Sequence, residues 1–286
     1  MSDVTLSSAT RSNLLSLQRT TDLISQTQDR LSTGRKVNSA IDDALSFFKS
    51  RALGDRASDL ATIKNNIVEG INVVETAVKS LESMEDTLKQ MKAIAESAKA
   101  ESSASERRAL STQFNTMMAQ LNHMASDAEY NGVNLLIGTQ QKLKVVFSEE
   151  SDARVLTVGG QLLNNTAAAG TVGLGIHYGV CLGSFANVTT SDGSTGVNRT
   201  LTQIDGALDK VRSAAREFGT NAALMEIRKE FTENIVNTLE TGASQLVNAD
   251  MNAESANMLS LQTRQQLGTI SLSIAQQSEQ AVLRLF

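Results

Sequence analysis

The stretch RLSTGRKVNSAIDDA, at residues 30–44, contains residue types that bind phosphate in some proteins. Gly34 is followed by two basic residues, and Asn38 and Ser39 then offer a helix start. Backbone N–H groups at the beginning of a helix can hold an anion. However, the stretch lacks the G-x-x-x-x-G-K-S/T frame of a phosphate loop, and no apolar strand precedes it.

The alternative is a corner that joins two helices. Gly34 would end the first helix, and the second would begin near Asn38 or Ser39. The acidic residues that follow would lie in the first turn of the second helix, where they suit the positive end of the helix dipole. The sequence favours this corner, and we assign the domain junction to Gly34, Arg35, Asn38, Ser39, Asp42 and Asp43.

Histidine and cysteine are too scarce to suggest a catalytic or metal site. His123 and His177 are the only histidines, and Cys181 is the only cysteine. A zinc site needs three or four such ligands, and the spacing H-E-x-x-H is absent. Cys181 and His177 lie in a glycine-rich segment without an acidic partner or an oxyanion frame. We therefore predict no enzyme activity, no metal and no cofactor, and we interpret Cys181 as an inert thiol, either buried or at the surface.

Charge and hydropathy argue against two further classes of partner. The chain of 286 residues has 26 basic and 31 acidic residues, and its net charge of −5 argues against binding to nucleic acid or to an anionic membrane. No apolar run approaches the ~18 residues that a membrane span needs. The first residues, MSDVTLSSATRSN, contain no apolar signal region, so we expect no cleaved secretory signal.

The absence of proline and the aromatic content of 3% point to long helices. Apolar residues recur at steps of three and four along several segments: 43–99, about 105–130, and from about 201 to the C-terminus with a break at 248–254. Around Val145, apolar and polar residues alternate, which indicates a β-hairpin. The predicted fold class is mainly α: long antiparallel helical rods or a coiled coil, with a small β-hairpin and loop insert in the middle.

The two terminal helices have the weakest apolar stripes. Over residues 12–32, leucine and isoleucine recur at helical spacing, but Thr21 and Gln28 fill two of the slots. A stripe this thin gives little stability to an isolated helix. We infer that the terminal helices pack on copies from other chains, through a self-assembly core of Leu14, Leu17, Ile24, Leu31, Leu267, Ile270, Ile274 and Leu285.

Four motifs in the right order resemble the bacterial flagellin family. The stretch at 30–44 resembles the flagellin motif at which a terminal helix is joined to a long helix. Three further stretches resemble signatures of the family: IKNNIVEGINVVETAVKSLESMEDTLKQMKAIA at 63–95, FNTMMAQLNHMASDAEYNGVNLLIG at 114–138 and SIAQQSEQAVLRLF at 273–286. Together, the resemblance covers roughly residues 1–138 and 204–286.

The resemblance implies a structural subunit that self-assembles into the flagellar filament, a hollow helical tube used for swimming. It implies inner core helices at 1–35 and 252–286, a rod of long helices at 36–138 and 200–251, and a β-hairpin with an exposed variable insert at 139–199. The insert is short, so the large outer domains of longer flagellins are expected to be missing. The terminal helices are expected to become ordered on assembly.

The resemblance also implies partners and a location. Flagellins are exported unfolded through the flagellar type III channel, so we expect an extracellular location in the flagellum. Expected partners are further copies of this chain, other flagellins, the export apparatus, a flagellin chaperone, the filament cap and hook-associated proteins. By resemblance to the family, five hydroxyl residues are candidates for O-linked sugar: Thr189, Thr190, Ser191, Ser194 and Thr195.

Two departures from the family pattern affect these expectations. Ser278, Glu279 and Gln280 stand where the C-terminal signature has its proline, which would allow the last helix to run further. The segment LKQMKAIAES at 88–97 differs from the Leu-Gln-Arg-x-Arg-Glu-Leu-Ala-x-Gln pattern that the flagellin-sensing Toll-like receptor recognises in many flagellins. The differing places include Gln90, Lys92, Ala93 and Ser97. We therefore predict weak or no activation of that receptor.

Two alternative functions share this pattern of helices. A helical coiled-coil signalling protein would show similar periodicity, but it needs a sensor or a membrane anchor, and neither is visible. A hook–filament junction protein would have similar terminal helices, but it would show weaker motifs at 30–44.

Overall fold

The computed structural model describes residues 8–138, 141–148, 154–163, 173–176 and 196–283. Most of these residues are helical, as the absence of proline predicts. The five helices in this part of the chain are α1 (Ser8–Thr33), α2 (Ala44–Ala100), α3 (Ala104–Asp127), α4 (Val197–Val247) and α5 (Met251–Leu283).

Two short antiparallel hairpins lie between α3 and α4 in the sequence. In the first, β1 (Glu129–Tyr130) pairs with β2 (Val133–Asn134), and in the second, β3 (Lys142–Val146) pairs with β4 (Val155–Gly159). The predicted fold class, mainly α with a small β-hairpin, is therefore confirmed.

The helix bounds agree closely with the periodicity, with one exception. Helix α2 starts and ends within one residue of the apolar pattern at 43–99. Helix α3 ends at Asp127 and does not continue to Tyr130 as predicted. The reason is that the side-chain amide of Asn134 donates hydrogen bonds of 2.9 Å to the carbonyl groups of Ala125 and Ser126. These bonds satisfy carbonyl groups that another helical turn would otherwise occupy.

The chain divides into two compact units. The first contains residues Met1–Ala57 and Asn237–Phe286, and the second contains Ser58–Val236. Helices α2 and α4 contribute residues to both units. The predicted domain limits near 35 and 252 lie at turns within the first unit, and they remain a prediction.

The second unit has one continuous apolar core built by α2, α3 and α4. Its largest fully buried side chains include Leu81, Met91, Phe114, Leu121 and Phe218. Three ion pairs join α2 to α4 with falling residue numbers on α4, which makes these helices antiparallel: Lys64–Glu233 at 3.7 Å, Glu85–Arg212 at 3.0 Å and Lys92–Asp205 at 2.6 Å.

The β3–β4 hairpin packs on α2 through its inward-facing side chains. Val145 and Val158 are buried, while Lys144 and Thr157 on the other face are exposed. Val145 lies so close to Gly70 of α2 that a β-carbon at position 70 would lie 2.7 Å from Val145 Cγ2. A glycine at this place therefore lets the hairpin approach the helix.

Candidate self-assembly surface and helix junction

Helix α1 ends at a glycine in the left-handed conformation. Gly34 has a φ of +69°, and its N–H donates a 2.9 Å hydrogen bond to the carbonyl of Arg30. Glycine adopts this conformation without the steric cost that a side chain would add. The chain therefore leaves α1 at this point.

The segment that follows α1 and the segment that links α4 to α5 are joined by backbone hydrogen bonds. The N–H of Lys36 donates to the carbonyl of Val247 at 2.7 Å, and the N–H of Ala249 donates to the carbonyl of Gly34 at 2.9 Å. Arg35 and Asn248 face each other in this short antiparallel bridge. The link after α1 and the link before α5 are thus held together, which fixes where α1 ends and where α5 begins.

The carboxylate of Asp42 organises the turn that follows. It accepts hydrogen bonds of 3.0 Å from the backbone N–H groups of Asn38 and Ser39, and one of 3.2 Å from the Ser39 hydroxyl. Hydrogen bonds to the charged form favour that form. The backbone N–H groups of Ser39 and Asn38 therefore hold the pKa of Asp42 below its usual 3.8.

Asp43 caps the N-terminus of α2. Its carboxylate accepts a 3.1 Å hydrogen bond from the backbone N–H of Ser46 and a 2.7 Å bond from the Ser46 hydroxyl, which together lower the pKa of Asp43. Helix α2 begins at Ala44, immediately after this residue. The prediction that the helix begins near Asn38 or Ser39 is therefore wrong, because the acidic pair precedes the helix and holds the turn that leads into it.

The phosphate-loop alternative is not supported, because the donors it would use at Asn38, Ser39 and Lys36 are engaged within the chain. The N–H groups of Asn38 and Ser39 are already bound by Asp42, and the ammonium group of Lys36 donates to the carbonyl of Gln245 at 3.3 Å. Gly34, Arg35, Asn38, Ser39, Asp42 and Asp43 all lie in this corner. Their role as a boundary between layers of a filament remains a prediction.

Helices α1 and α5 pack against each other in antiparallel fashion. At one end, Arg30 and Glu254 form a 3.1 Å ion pair. Further along, Leu17 lies against Gly268. Burial along both helices follows heptad steps of three and four. The covered face of α1 comprises Thr10, Leu17, Thr20, Ile24, Thr27 and Leu31. That of α5 comprises Glu254, Met258, Leu261, Gln265, Gly268, Leu272 and Ala275.

The predicted self-assembly residues of α1 lie mainly on this seam. Leu17, Ile24 and Leu31 are half-buried in it, whereas Leu14 is exposed. The polar slots of the seam hold Thr20 and Thr27, while the predicted slot residues Thr21 and Gln28 are exposed.

Helix α5 carries a second apolar stripe on the face opposite the seam. We call it the outer stripe. The predicted residues Leu267, Ile270 and Ile274 belong to it, and each is more than half exposed. The members of the outer stripe are Leu259, Leu267, Ile270 and Ile274. Other predicted residues lie outside the described part of the chain: Cys181, Thr189, Thr190, Ser191, Ser194, Thr195 and Leu285.

Two features of the first unit were not predicted from the sequence. Asp250 caps α5 by accepting hydrogen bonds from the N–H groups of Asn252 at 2.9 Å and Ala253 at 3.2 Å. An aspartate one residue before an apolar helical pattern is a signal that could have revealed it. The ion pair between Arg30 and Glu254 has no such signal, because these residues lie far apart in the sequence.

The described residues offer no site of another kind. They contain no group of three or more histidine, cysteine and acidic side chains suited to a metal ion. Within the same ranges, none of the helices has the length and apolarity required to cross a membrane.

Comparisons with known proteins agree with this arrangement. A profile described as the bacterial flagellin N-terminal helical region matches residues 3–141, and one for the C-terminal helical region matches residues 201–286. Flagellin FljM of Caulobacter vibrioides is 30% identical over 274 residues, covering 96% of this chain and 94% of that protein. A flagellin of Brucella melitensis is 28% identical over 287 residues, covering 100% of this chain and 99% of that protein.

A solved structure shares the fold. A Vibrio parahaemolyticus chain assigned as a flagellar hook-associated protein matches with a TM-score of 0.58 and 15% identity, over 72% of this chain and 100% of that one. The profiles and relatives favour a filament subunit over a signalling protein or a hook–filament junction protein. The chain belongs to the bacterial flagellin family and is a structural subunit of the flagellar filament.

Proposed function

We propose that the subunit assembles through its terminal helices, with the outer stripe of α5 packed on terminal helices of neighbouring copies. The observation that carries this proposal is that α5 is apolar on two opposite faces. A helix of this kind suits a position between two partners. One partner is α1 of the same chain, and a neighbouring copy would supply the other. Burial of each large apolar side chain would contribute about 1.5–3 kcal/mol.

Residues 1–35 and 252–286 would become fully ordered only when neighbouring copies surround them. The polar seam supports this view, because Thr20, Thr27 and Gln265 occupy places where a stable coiled coil would have apolar residues. Two helices with such a seam gain little from packing on each other alone. The cost of ordering them would limit polymerisation of free subunits in the cytoplasm.

The expected export route, location and partners of the chain are inferred from its family membership. The chain would be exported unfolded through the flagellar type III channel with the help of a flagellin chaperone, and it would reside outside the cell. In the flagellum it would contact the filament cap, hook-associated proteins and other flagellins. Its role would be mechanical, without enzyme activity, metal or cofactor. Surface sugars would be carried by hydroxyl residues between 189 and 195.

We also propose weak or absent activation of the flagellin-sensing Toll-like receptor. In the segment that corresponds to the recognised pattern, Leu88 is fully buried and Lys92 is paired with Asp205. Neither side chain is therefore freely presented to a receptor. Ala93 offers no charge for one to bind.

Substitution in the outer stripe tests the assembly mechanism. Ile270→Asp places a charge on the stripe and is expected to abolish filaments, because a charge buried between copies would have no partner. Thr269→Asp, an exposed change on a different face of α5, is the matched control and should still assemble. Negative-stain microscopy would measure the outcome, with circular dichroism to show that both chains keep their helices. Normal filaments from Ile270→Asp would overturn the proposal.

A further inference from the structure

Helix α4 carries an exposed apolar stripe that the core of its unit does not use. Leu224, Ile227 and Phe231, which we call the α4 stripe, are 41%, 65% and 55% exposed. Their spacing of three and four places them on one face of the helix. Met225 and Thr232 lie on another face of the same turns and are buried. Here α4 is therefore apolar on two faces, and the described residues cover only one of them.

A second exposed stripe extends from the turn before α2 into the start of α2. Ile41, Leu45 and Phe48, which we call the junction stripe, are 95%, 78% and 61% exposed. The other side of α2 is the one that packs within the unit, since the Ser50 hydroxyl donates to the carbonyl of Ala243 at 3.0 Å. Contiguous exposed apolar side chains of this size mark an interaction site.

The function of the chain indicates what covers these stripes. An open filament grows through heterologous contacts, in which one surface of a subunit meets a different surface of the next. A filament subunit must therefore carry pairs of unlike, complementary surfaces. The two stripes match in size, because each has three large apolar side chains within eight residues, including one phenylalanine. Apolar ridges of this kind pack well against each other.

The charges beside the two stripes are complementary. Lys49 and Arg51 flank the junction stripe, and neither forms an ion pair with any described residue. Glu230 flanks the α4 stripe and also has no ion pair within the described ranges. A basic rim on one stripe and an acidic rim on the other favour their pairing.

The other charges near the two stripes are already engaged within the chain. Beside the α4 stripe, Lys229 is paired with Glu226, and Arg228 lies over the ring of Phe147 at 5.5 Å. Beside the junction stripe, the acidic pair before α2 is held by hydrogen bonds in the corner. Among the described residues, the charges that remain without a partner are therefore basic beside the junction stripe and acidic beside the α4 stripe.

We propose that, in the filament, the junction stripe of one copy packs on the α4 stripe of a neighbouring copy, with Lys49 and Arg51 near Glu230. The proposal rests on filament assembly, and it adds a contact that does not involve α1 or α5. Because the two surfaces differ, the contact is heterologous and can repeat from copy to copy along an open filament.

Thiol cross-linking of assembled filaments tests this contact. In a Cys181→Ala background, the double variant Phe48→Cys and Ile227→Cys is polymerised and treated with a short bismaleimide. We expect a ladder of covalent multimers on denaturing gels. Either cysteine alone should give no ladder, and a mixture of the two single variants should stop at dimers. The control double variant, Phe48→Cys with Glu226→Cys, places the second thiol on a different face of α4 and should lose the ladder.

Two outcomes would overturn the proposal. One is the absence of a ladder from filaments of the double variant, and the other is a cross-link within single chains in dilute monomer. A second measurement needs no cross-linking. Ile227→Ser and Phe48→Ser should elongate wild-type seeds more slowly than Ala109→Ser, an exposed control on α3, and equal rates would contradict the contact. The terminal-helix mechanism is tested separately, because normal filaments from Ile270→Asp would overturn it and leave this contact unaffected.

Discussion

Leu17 of α1 lies directly against the backbone of α5 at Gly268, where a β-carbon would lie 2.8 Å from Leu17 Cδ1. Real side chains do not approach this closely, so either the leucine would move or the helices would separate. A glycine inside a helix costs about 1 kcal/mol relative to alanine. Its presence here is explained by the close approach of the two terminal helices.

We predict that Gly268→Val destabilises the pairing of α1 and α5. The added branched side chain would overpack the seam at a cost of about 1–3 kcal/mol, and filaments should dissociate at a lower temperature. Adding Leu17→Ala should recover part of this loss, because the two positions are coupled by contact. Gly219→Val on α4 is the control, since no atom lies within 4 Å of the β-carbon position there. Equal melting of the two valine variants would contradict the prediction.

The ion pair between Arg30 and Glu254 should stabilise the base of the terminal helices. Glu254 is largely buried, with its side chain 11% exposed, and Arg30 is 32% exposed. Glu254→Gln removes the charge from this bond and should cost about 1–2 kcal/mol, since hydrogen bonds to charged groups exceed neutral ones. Thermal dissociation of filaments would report the loss. Glu240→Gln, an exposed change on α4, should leave the midpoint unchanged, and a similar shift from both variants would contradict the assignment.

The sequence predicts that α1 exists more reliably than it predicts which face of α1 is buried. Leucine and isoleucine at 17, 24 and 31 repeat every seven residues, and the slots between them can be reached by a step of three or of four. The first choice selects Thr20 and Thr27, and the second selects Thr21 and Gln28. Both choices satisfy a heptad. Only the position of α5 decides, and it covers Thr20 and Thr27.

The sequence also does not distinguish the seam face of α5 from its outer stripe. Apolar residues are frequent enough along this helix that Leu261 and Leu267 fit one loose pattern, although Leu261 is buried and Leu267 is exposed.

At the corner between α1 and α2, the sequence alone allows either Asp42 or Asp43 to cap α2. The choice depends on Asp42 turning back to the N–H groups of Asn38 and Ser39, which periodicity does not encode.

Acid should loosen the corner between α1 and α2. Because the pKa of Asp42 is lowered in the folded state, its contribution to stability is present above the usual 3.8 and is lost as the pH falls through the lowered value. Carboxyl-carbon NMR titration should therefore give Asp42 a midpoint below 3.8. The amide signal of Ser39 should follow the same titration and become insensitive to it in Asp42→Asn. A midpoint at or above the usual value would contradict this structure of the turn.

The receptor prediction can be checked with a cell reporter for the flagellin-sensing Toll-like receptor. The chain should give little or no signal over a dose series, because the 88–97 segment departs from the recognised pattern at several places, which include Gln90, Lys92, Ala93 and Ser97. The matched comparison restores the family residues at those places: Gln90→Arg, Lys92→Arg, Ala93→Glu and Ser97→Gln. This variant should signal more strongly. Strong, dose-dependent signalling by the unchanged chain would rule the prediction out.

Hydrogen exchange can separate folding of the body from ordering of the terminal helices. In α2, residues from Ile67 to Met91 include side chains that are fully buried in the core, so their amides should be protected in the monomer. The α1 seam contains Thr20 and Thr27 and has one partner helix, so its amides should exchange much faster in the monomer and slow strongly in filaments. Mass spectrometry of both states would measure this difference. Equal protection of α1 and α2 in dilute monomer would show that the terminal helices are already stable alone, and assembly would then have to proceed without an ordering step.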